Sequence, residues 1–192
     1  MSTLYLAKEP AADQMLATDP LALLVGMLLD QQIPMERAFV APYRLAQRLG
    51  VTRLDAATLA AYDPSALAEV FAMPPALHRF PGAMADRTQK LAQLIVEEYG
   101  GDAAAIWTGA TSGQDLVRRL SRLPGFGKQK AQIFTALLGK RLGVRPEGWR
   151  EAAGEFGEDG VFRSVADITD EASLAKVREH KQRMKAAARG RR

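Results

Sequence analysis

Between residues 123 and 131 the chain reads Leu-Pro-Gly-Phe-Gly-Lys-Gln-Lys-Ala, a glycine turn that opens onto a basic helix start. Pro124 fixes one backbone angle, while Gly125 and Gly127 admit positive φ and carry no Cβ to obstruct a ligand approaching the main chain. The helix that follows has Ala131, Ile133, Phe134, Leu137 and Leu138 at apolar spacing. Its unpaired first-turn N–H groups and positive dipole end point the same way as the turn. Lys128 and Lys130 add full charges, so this stretch can hold an anion. The spacing is not the Gly-x-x-x-x-Gly-Lys-[Ser/Thr] pattern that cradles a triphosphate, which makes one phosphate of a polymer the better fit. An ordinary helix corner with surface lysines would have the same composition.

Other side chains could do chemistry. Gln31 and Gln32 stand at the end of an apolar helix, where polar groups must find partners or face a cleft, and Gln31 could simply cap that helix. Trp107, Trp149, Phe126 and Phe156 could stack on a base, although aromatics are more often packing. Trp107 and Phe134 read as packing, whereas Trp149 sits in a Gly/Pro-rich loop and is the better pocket candidate. His78 and His180 are isolated, show no metal-ligand spacing and read as surface or boundary residues.

The elements that must position these residues are helical, and strand signals are nearly missing. Ser112-Gly-Gln-Asp115 reads as a capping box opening a helix with Leu116, Val117 and Leu120 inward and Arg118, Arg119 and Arg122 mostly outward. The result is helix, tight glycine hairpin, helix. Asp19-Pro20 and Asp63-Pro64 each pair an N-cap acid with a proline at the first helical position. From Leu21 to Gln32 the chain is apolar on almost all sides, which predicts a helix in the middle of a bundle. Further helices are predicted from Met35 through Leu49, near residues 55–61 and 64–72, from Pro81 to Tyr99, and briefly from Asp102 to Trp107. An all-α bundle follows.

With 192 residues and 47% apolar content, the chain can bury a substantial core as one domain or two small lobes. Its longest apolar run, Leu21 to Leu29, is too short to cross a bilayer and is not placed as a signal peptide would be. No membrane association is expected. There is no cysteine, which removes disulfides and thiolate chemistry and points to the cytoplasm. The net charge of +4 hides a lopsided distribution: residues 114–150 and 176–192 each carry +7, so the remainder carries −10. A basic band around the hairpin and a basic tail on an acidic body suit a polyanion partner. A solvated, fraying helix end would explain the tail equally well.

The hairpin unit, residues 112–142, resembles the helix-hairpin-helix of the DNA glycosylase superfamily, which includes endonuclease III and the alkyl-base glycosylases. The likeness extends over the buried helix with Gln31-Gln32, the bundle, the hairpin and the loop after it; residues 150–192 match no member. It implies a two-lobed helical bundle with a DNA cleft: a six-helix barrel over residues 20–141, and a second lobe from residues 1–19 and 142–192 with the basic tail. It implies that Gly125, Phe126, Gly127, Lys128 and Lys130 contact DNA, that Gln32 fills the gap left by a flipped base, and that Gln31 and Trp149 line the base pocket. Bifunctional members carry a lysine two places after the second hairpin glycine; here that position is Gln129, so lyase activity is not expected. The family's catalytic aspartate lies one Gly/Pro-rich loop beyond the hairpin. Glu147, eighteen residues after Gln129, stands at that distance, with Asp159 and Asp167 as further candidates, but the family's context around its aspartate is absent. Family hairpins also hold a monovalent cation on main-chain carbonyls, here those of Ser121, Leu123 and Phe126. The four-cysteine iron–sulfur cluster of endonuclease III-type members has no ligands in this chain, and no other cofactor is expected.

The resemblance therefore implies a monomeric, nucleoid-associated protein of base excision repair that binds double-stranded DNA. It would act as a monofunctional N-glycosylase on a damaged base, an alkylated purine being the least demanding substrate because its positive charge makes it a good leaving group. A non-catalytic DNA-binding or lesion-sensing protein is the alternative from another class, and a protein-interaction bundle with incidental basicity is a third.

Overall fold

In the computed structural model, which describes residues 3–191, local sequence signals decide where each helix begins and ends. The first two helices, α1 (Pro10–Thr18) and α2 (Pro20–Leu29), both start on a proline. Asp19 caps α2 by accepting from the N–H groups of Leu21 and Ala22, and its other oxygen takes the Leu54 N–H at 2.9 Å. One buried carboxylate thus fixes the start of the central helix and the loop leading to the next pair. Helix α3 (Met35–Leu49) contains Pro42 without ending there and stops at Gly50, whose φ of +71° closes it. Asp55 and Asp63 cap α4 (Ala56–Ala61) and α5 (Pro64–Ala72), and α6 (Pro81–Tyr99) stops at left-handed Gly100. The chain continues through α7 (Ala105–Thr108), α8 (Gly113–Ser121), α9 (Lys128–Arg141), α10 (Trp149–Ala152), two 3-10 turns and α11 (Glu171–Arg189). The described residues are all helix, turn and loop, with no strand.

Helix α2 is the hub. Residues 21–29 are all buried, which is why its sequence shows no polar face. It packs on α1, α3 and α6, and at Gly26 a side chain would collide with the Phe39 ring of α3. Helices α4 and α5 lie on α6, where the Gln89 amide donates to the carbonyls of Leu59 and Tyr62. Helices α8 and α9 pack as a pair, and α10 and the 3-10 turns Gly154–Gly157 and Val165–Asp167 close over α9.

The start of α8 differs in one respect from a reciprocal capping box. Ser112 Oγ accepts from the Asp115 N–H at 3.0 Å, but Asp115 reaches back to the Thr111 N–H rather than to that of Ser112. Asp115 also pairs with Arg118 and, at 3.0 Å, with Arg119. The Thr111 bond and these two guanidinium groups hold its carboxyl below the usual range. Arg119 is therefore folded against α7, donating to the Ile106 carbonyl, and does not point freely outward.

The last helix divides the basic tail into two parts. Leu174 and Val177 are buried, Glu171 takes Tyr5 and Lys8, and Arg178 grips Glu36 at the start of α3 through both carboxylate oxygens. Beyond His180 every described residue of α11 is exposed, so Arg183, Lys185 and Arg189 stand clear of the body, while Lys181, exposed as well, lies within charge range of Asp30.

Candidate nucleic-acid interface

The turn between α8 and α9 closes through Leu123 N–H to Leu120 O and Phe126 N–H to Leu123 O. Its two glycines have different reasons. Gly125 has a φ of +76°, and a Cβ there would drive into the Leu28 side chain, so both conformation and space demand glycine. Gly127 has an unremarkable φ of −86° and open space where its Cβ would be. It is the N-cap of α9, and no side chain caps that end. The first-turn N–H groups of the 14-residue helix therefore face outward beside exposed Gly127, Lys128 and Gln129.

Two residues expected to contact a ligand turn inward. The Phe126 ring is 5% exposed and meets Phe134 edge-on at 6.1 Å, so it belongs to the core and cannot stack on a base. Its N–H is spent in the turn, leaving only its carbonyl free. Lys130 donates to the carbonyls of Met27 at 2.8 Å, Leu28 at 3.4 Å and Asp30 at 3.5 Å, capping the C-terminal end of α2. Burial pulls its pKa down, and the neighbouring Asp30 opposes that shift. Of the two hairpin lysines, only Lys128 is free to meet a phosphate.

This lysine brings the loop after α2 against the hairpin. Gln31 caps α2 as well, its amide donating to Leu28 O at 3.0 Å, while its side-chain oxygen accepts from Arg87 of α6 at 3.2 Å. Its backbone carbonyl meets Nε2 of His78 at 2.9 Å, and Nδ1 of His78 accepts the Phe80 N–H at 2.9 Å. His78 is thus no surface residue: it is 1% exposed, it joins two loops through both ring nitrogens, and its burial lowers its pKa. Gln32 is exposed and has a φ of +58°, a left-handed conformation uncommon for a residue with a side chain. It stands at the crest of the loop. Asp30, half-buried at the foot of the same loop, has its carboxyl pushed up by desolvation, with Lys181 and Lys130 pulling it back down and Glu36 adding to the rise.

The carboxylates expected from sequence spacing lie elsewhere. The chain after α9 does not run back along that helix at once. Val144 N–H bonds Leu138 O, Arg145 bonds Gly139 O, and the Trp149 ring lies on Gly139, where any side chain would strike it. Glu147 is exposed there, its carbonyl taking the Gly113 N–H at 2.7 Å. From Gly127 to Gly139 the helix rises roughly 18 Å, so Glu147 sits at the end of α9 remote from the hairpin. Asp159 is at the same end, paired with Arg150 at 2.8 Å and held below the usual range by that contact. Asp167 forms a buried pair with Lys140 at 2.6 Å and caps its own 3-10 turn. Trp149 is 8% exposed, with the Arg150 guanidinium 4.6 Å from its ring, and is a packing residue between α8 and α9. The Trp107 ring packs at a tilt against Phe134, with centroids 5.8 Å apart, as its apolar setting predicts.

A groove of about 810 Å³ also opens at this far end, lined by Leu4, Leu16, Leu23, Trp107, Leu142 and Val144 among others. Among the described residues no three His, Asp or Glu side chains converge as a metal site, and no single helix is long and apolar enough to cross a membrane. No family model matches the chain, and no curated protein is similar enough to count as a match.

Sequence spacing missed Asp30 and Arg87 at the hairpin. Asp30 carried a signal: an acid at the C-terminal end of a buried helix faces the negative end of the dipole and needs a reason to be there. Arg87 carried none, because only the crossing of α6 past the loop brings it in.

Proposed function

We propose that the chain is a helix-hairpin-helix DNA-repair protein that binds duplex DNA and releases a damaged base by hydrolysis. The observation that carries this reading is the uncapped, outward-facing N-terminus of α9 at Gly127, held beside the exposed, left-handed Gln32 by the Lys130 cap. A helix start with free N–H groups suits one phosphate, and an exposed polar side chain next to it suits the gap left by a flipped base. Lys128 and the projecting half of α11 supply the charge to follow the backbone on either side. The carbonyls of Ser121, Leu123 and Phe126 belong to one turn and are the hard oxygen donors a monovalent cation takes; Leu123 O keeps a lone pair beyond its bond to Phe126. A cation there would add positive charge behind the phosphate.

The reaction is that of a monofunctional enzyme. Gln129 has no amine to form a Schiff base, and Lys130 is committed to three carbonyls. A cationic alkylated purine is the substrate that asks least of the protein. The protein acts as a monomer in the cytoplasm, at the nucleoid, with DNA lying between a lobe of residues 20–141 and one built from both chain ends. The Tyr5 and Lys8 contacts with Glu171 support that second lobe. The experiment is incubation with duplexes carrying alkylated, oxidised or deaminated bases, with released base measured by chromatography. Release of one class supports the proposal, and binding without release of any base refutes the enzyme.

One observation favours a second reading. Asp159 and Asp167 are tied to basic partners and Glu147 is remote from the hairpin, as a non-catalytic lesion-sensing protein would allow. That reading predicts tighter binding to damaged than to intact duplex with no base released.

A further inference from the structure

Hydrolysis of a glycosidic bond passes through a cation-like sugar, which needs a carboxylate at C1′ and a base for the attacking water. None of Glu147, Asp159 and Asp167 stands at the hairpin. Glu98 lies beside the turn but is tied up in an ion pair with Arg122, whereas Asp30 stands beside it without such a partner. Asp30 follows directly on the buried helix α2, its main-chain carbonyl takes the Lys130 amine, and the next two residues are Gln31, which holds Arg87, and the exposed Gln32. A sugar-phosphate held on the α9 N-terminus, with Gln32 in the gap, places its C1′ beside this loop and not at the far end of α9.

The position makes little sense as a stabilising device. Among the described residues Asp30 forms no ion pair within 4 Å and no side-chain hydrogen bond, although Lys130 and Lys181 are both close enough to influence it. It also faces the carbonyl end of α2, where the dipole opposes a negative charge. A half-buried carboxylate without a partner is costly to fold and is characteristic of a group kept for a reaction. Desolvation also strengthens it as a base.

Resting on the glycosylase reading above, we infer that Asp30 is the catalytic carboxylate, facing C1′ of the flipped nucleotide and taking the proton of the attacking water. The C1′–N bond breaks with its electron pair leaving on the base. A cationic alkylated purine departs neutral, the water oxygen bonds C1′, and its proton passes to Asp30 and then to solvent. Lys181 of α11 and Lys130 of α9 favour its ionised form against that desolvation.

The test compares Asp30→Asn, Asp30→Glu and Glu147→Gln with the wild type on an alkylated duplex, in single turnover with enzyme in excess, alongside DNA affinity and melting temperature. Asp30→Asn is nearly isosteric and removes an unpaired charge, so its melting temperature should not fall. The expected result is a loss of base release of about 10²- to 10⁴-fold in Asp30→Asn. Its affinity for DNA should stay within about threefold, Asp30→Glu should retain part of the rate, and Glu147→Gln should react like the wild type. Wild-type release with Asp30→Asn equally active overturns the inference and leaves the glycosylase reading standing. No release by the wild type itself removes both. Should Asp30→Asn not fold, a folded Asp30→Glu that releases base more slowly than the wild type at unchanged affinity supports the assignment, and full activity in it overturns it.

Discussion

The two hairpin glycines allow folding and binding to be separated with one methyl group each. In Gly125→Ala the new Cβ strikes the Leu28 side chain from a residue held at φ +76°. The left-handed conformation costs an alanine about 1–2 kcal/mol, and overpacking against Leu28 adds about 1–3 kcal/mol. At roughly 2–4 °C per kcal/mol for a chain of this size, the melting temperature should fall by about 4–20 °C. In Gly127→Ala the methyl enters open space at an ordinary φ of −86°. Alanine is a poorer N-cap than glycine by about 0.5–1 kcal/mol, and the stiffer unfolded chain returns about 0.4–1 kcal/mol, so stability should hardly move. Binding should move. A methyl at that point keeps a phosphate off the first-turn amides, and each charge-assisted hydrogen bond lost is worth about 1.5–3 kcal/mol. One such bond corresponds to roughly 10- to 100-fold in Kd. Fluorescence anisotropy with a labelled duplex at fixed ionic strength measures the second effect, and thermal unfolding the first. A Gly127→Ala protein that melts like the wild type and binds like it would refute the assignment of the α9 N-terminus as a phosphate site.

Three further outcomes are expected. His78 is held neutral by burial, with its pKa below the ordinary value, so the folded state resists protonation. Stability present above about pH 6.5, the usual unfolded value, should therefore be lost as pH falls through the folded pKa, and the drop in urea midpoint between pH 7.5 and 5.5 should be smaller in His78→Gln. Asp167→Asn leaves Lys140 buried without its partner and should cost about 3–5 kcal/mol in denaturant unfolding. Replacing Lys181, Arg183 and Lys185 together by Gln, all on the exposed half of α11, should leave melting unchanged and flatten the plot of log affinity against log salt by about 1 to 3, since each phosphate contact contributes about 0.9. An unchanged slope would mean that this half of α11 is merely solvated.

The helices were legible because their boundaries are set by neighbours in sequence. Asp19-Pro20, Asp63-Pro64, Gly100 and the apolar run from Leu21 act over four or five residues, and each helix begins or ends where they say. The hairpin was legible as a turn for the same reason. Side-chain destinations were not. Lys130 reads as one more surface charge until the end of α2, a hundred residues earlier, is seen to need its carbonyls capped. Glu147 was placed by counting from Gln129, and counting assumes that the loop returns along the helix. The Trp149 contact with Gly139 holds it at the far end instead. Phe126 looked like a free aromatic in a glycine turn, but its ring fills the space between the turn and Phe134.

The bond from Lys130 to the last carbonyls of α2 joins the start of one helix to the end of another. If the proposed function holds, the phosphate site at the α9 N-terminus and the Gln32 loop would behave like a caliper with its jaws locked: their separation is a property of the protein and would not adjust to a strand. Any misfit would then fall to the bound duplex, so flexible or weakened steps would seat more easily than stiff ones. A duplex locally softened by damage would be selected by its compliance before any feature of the base is read.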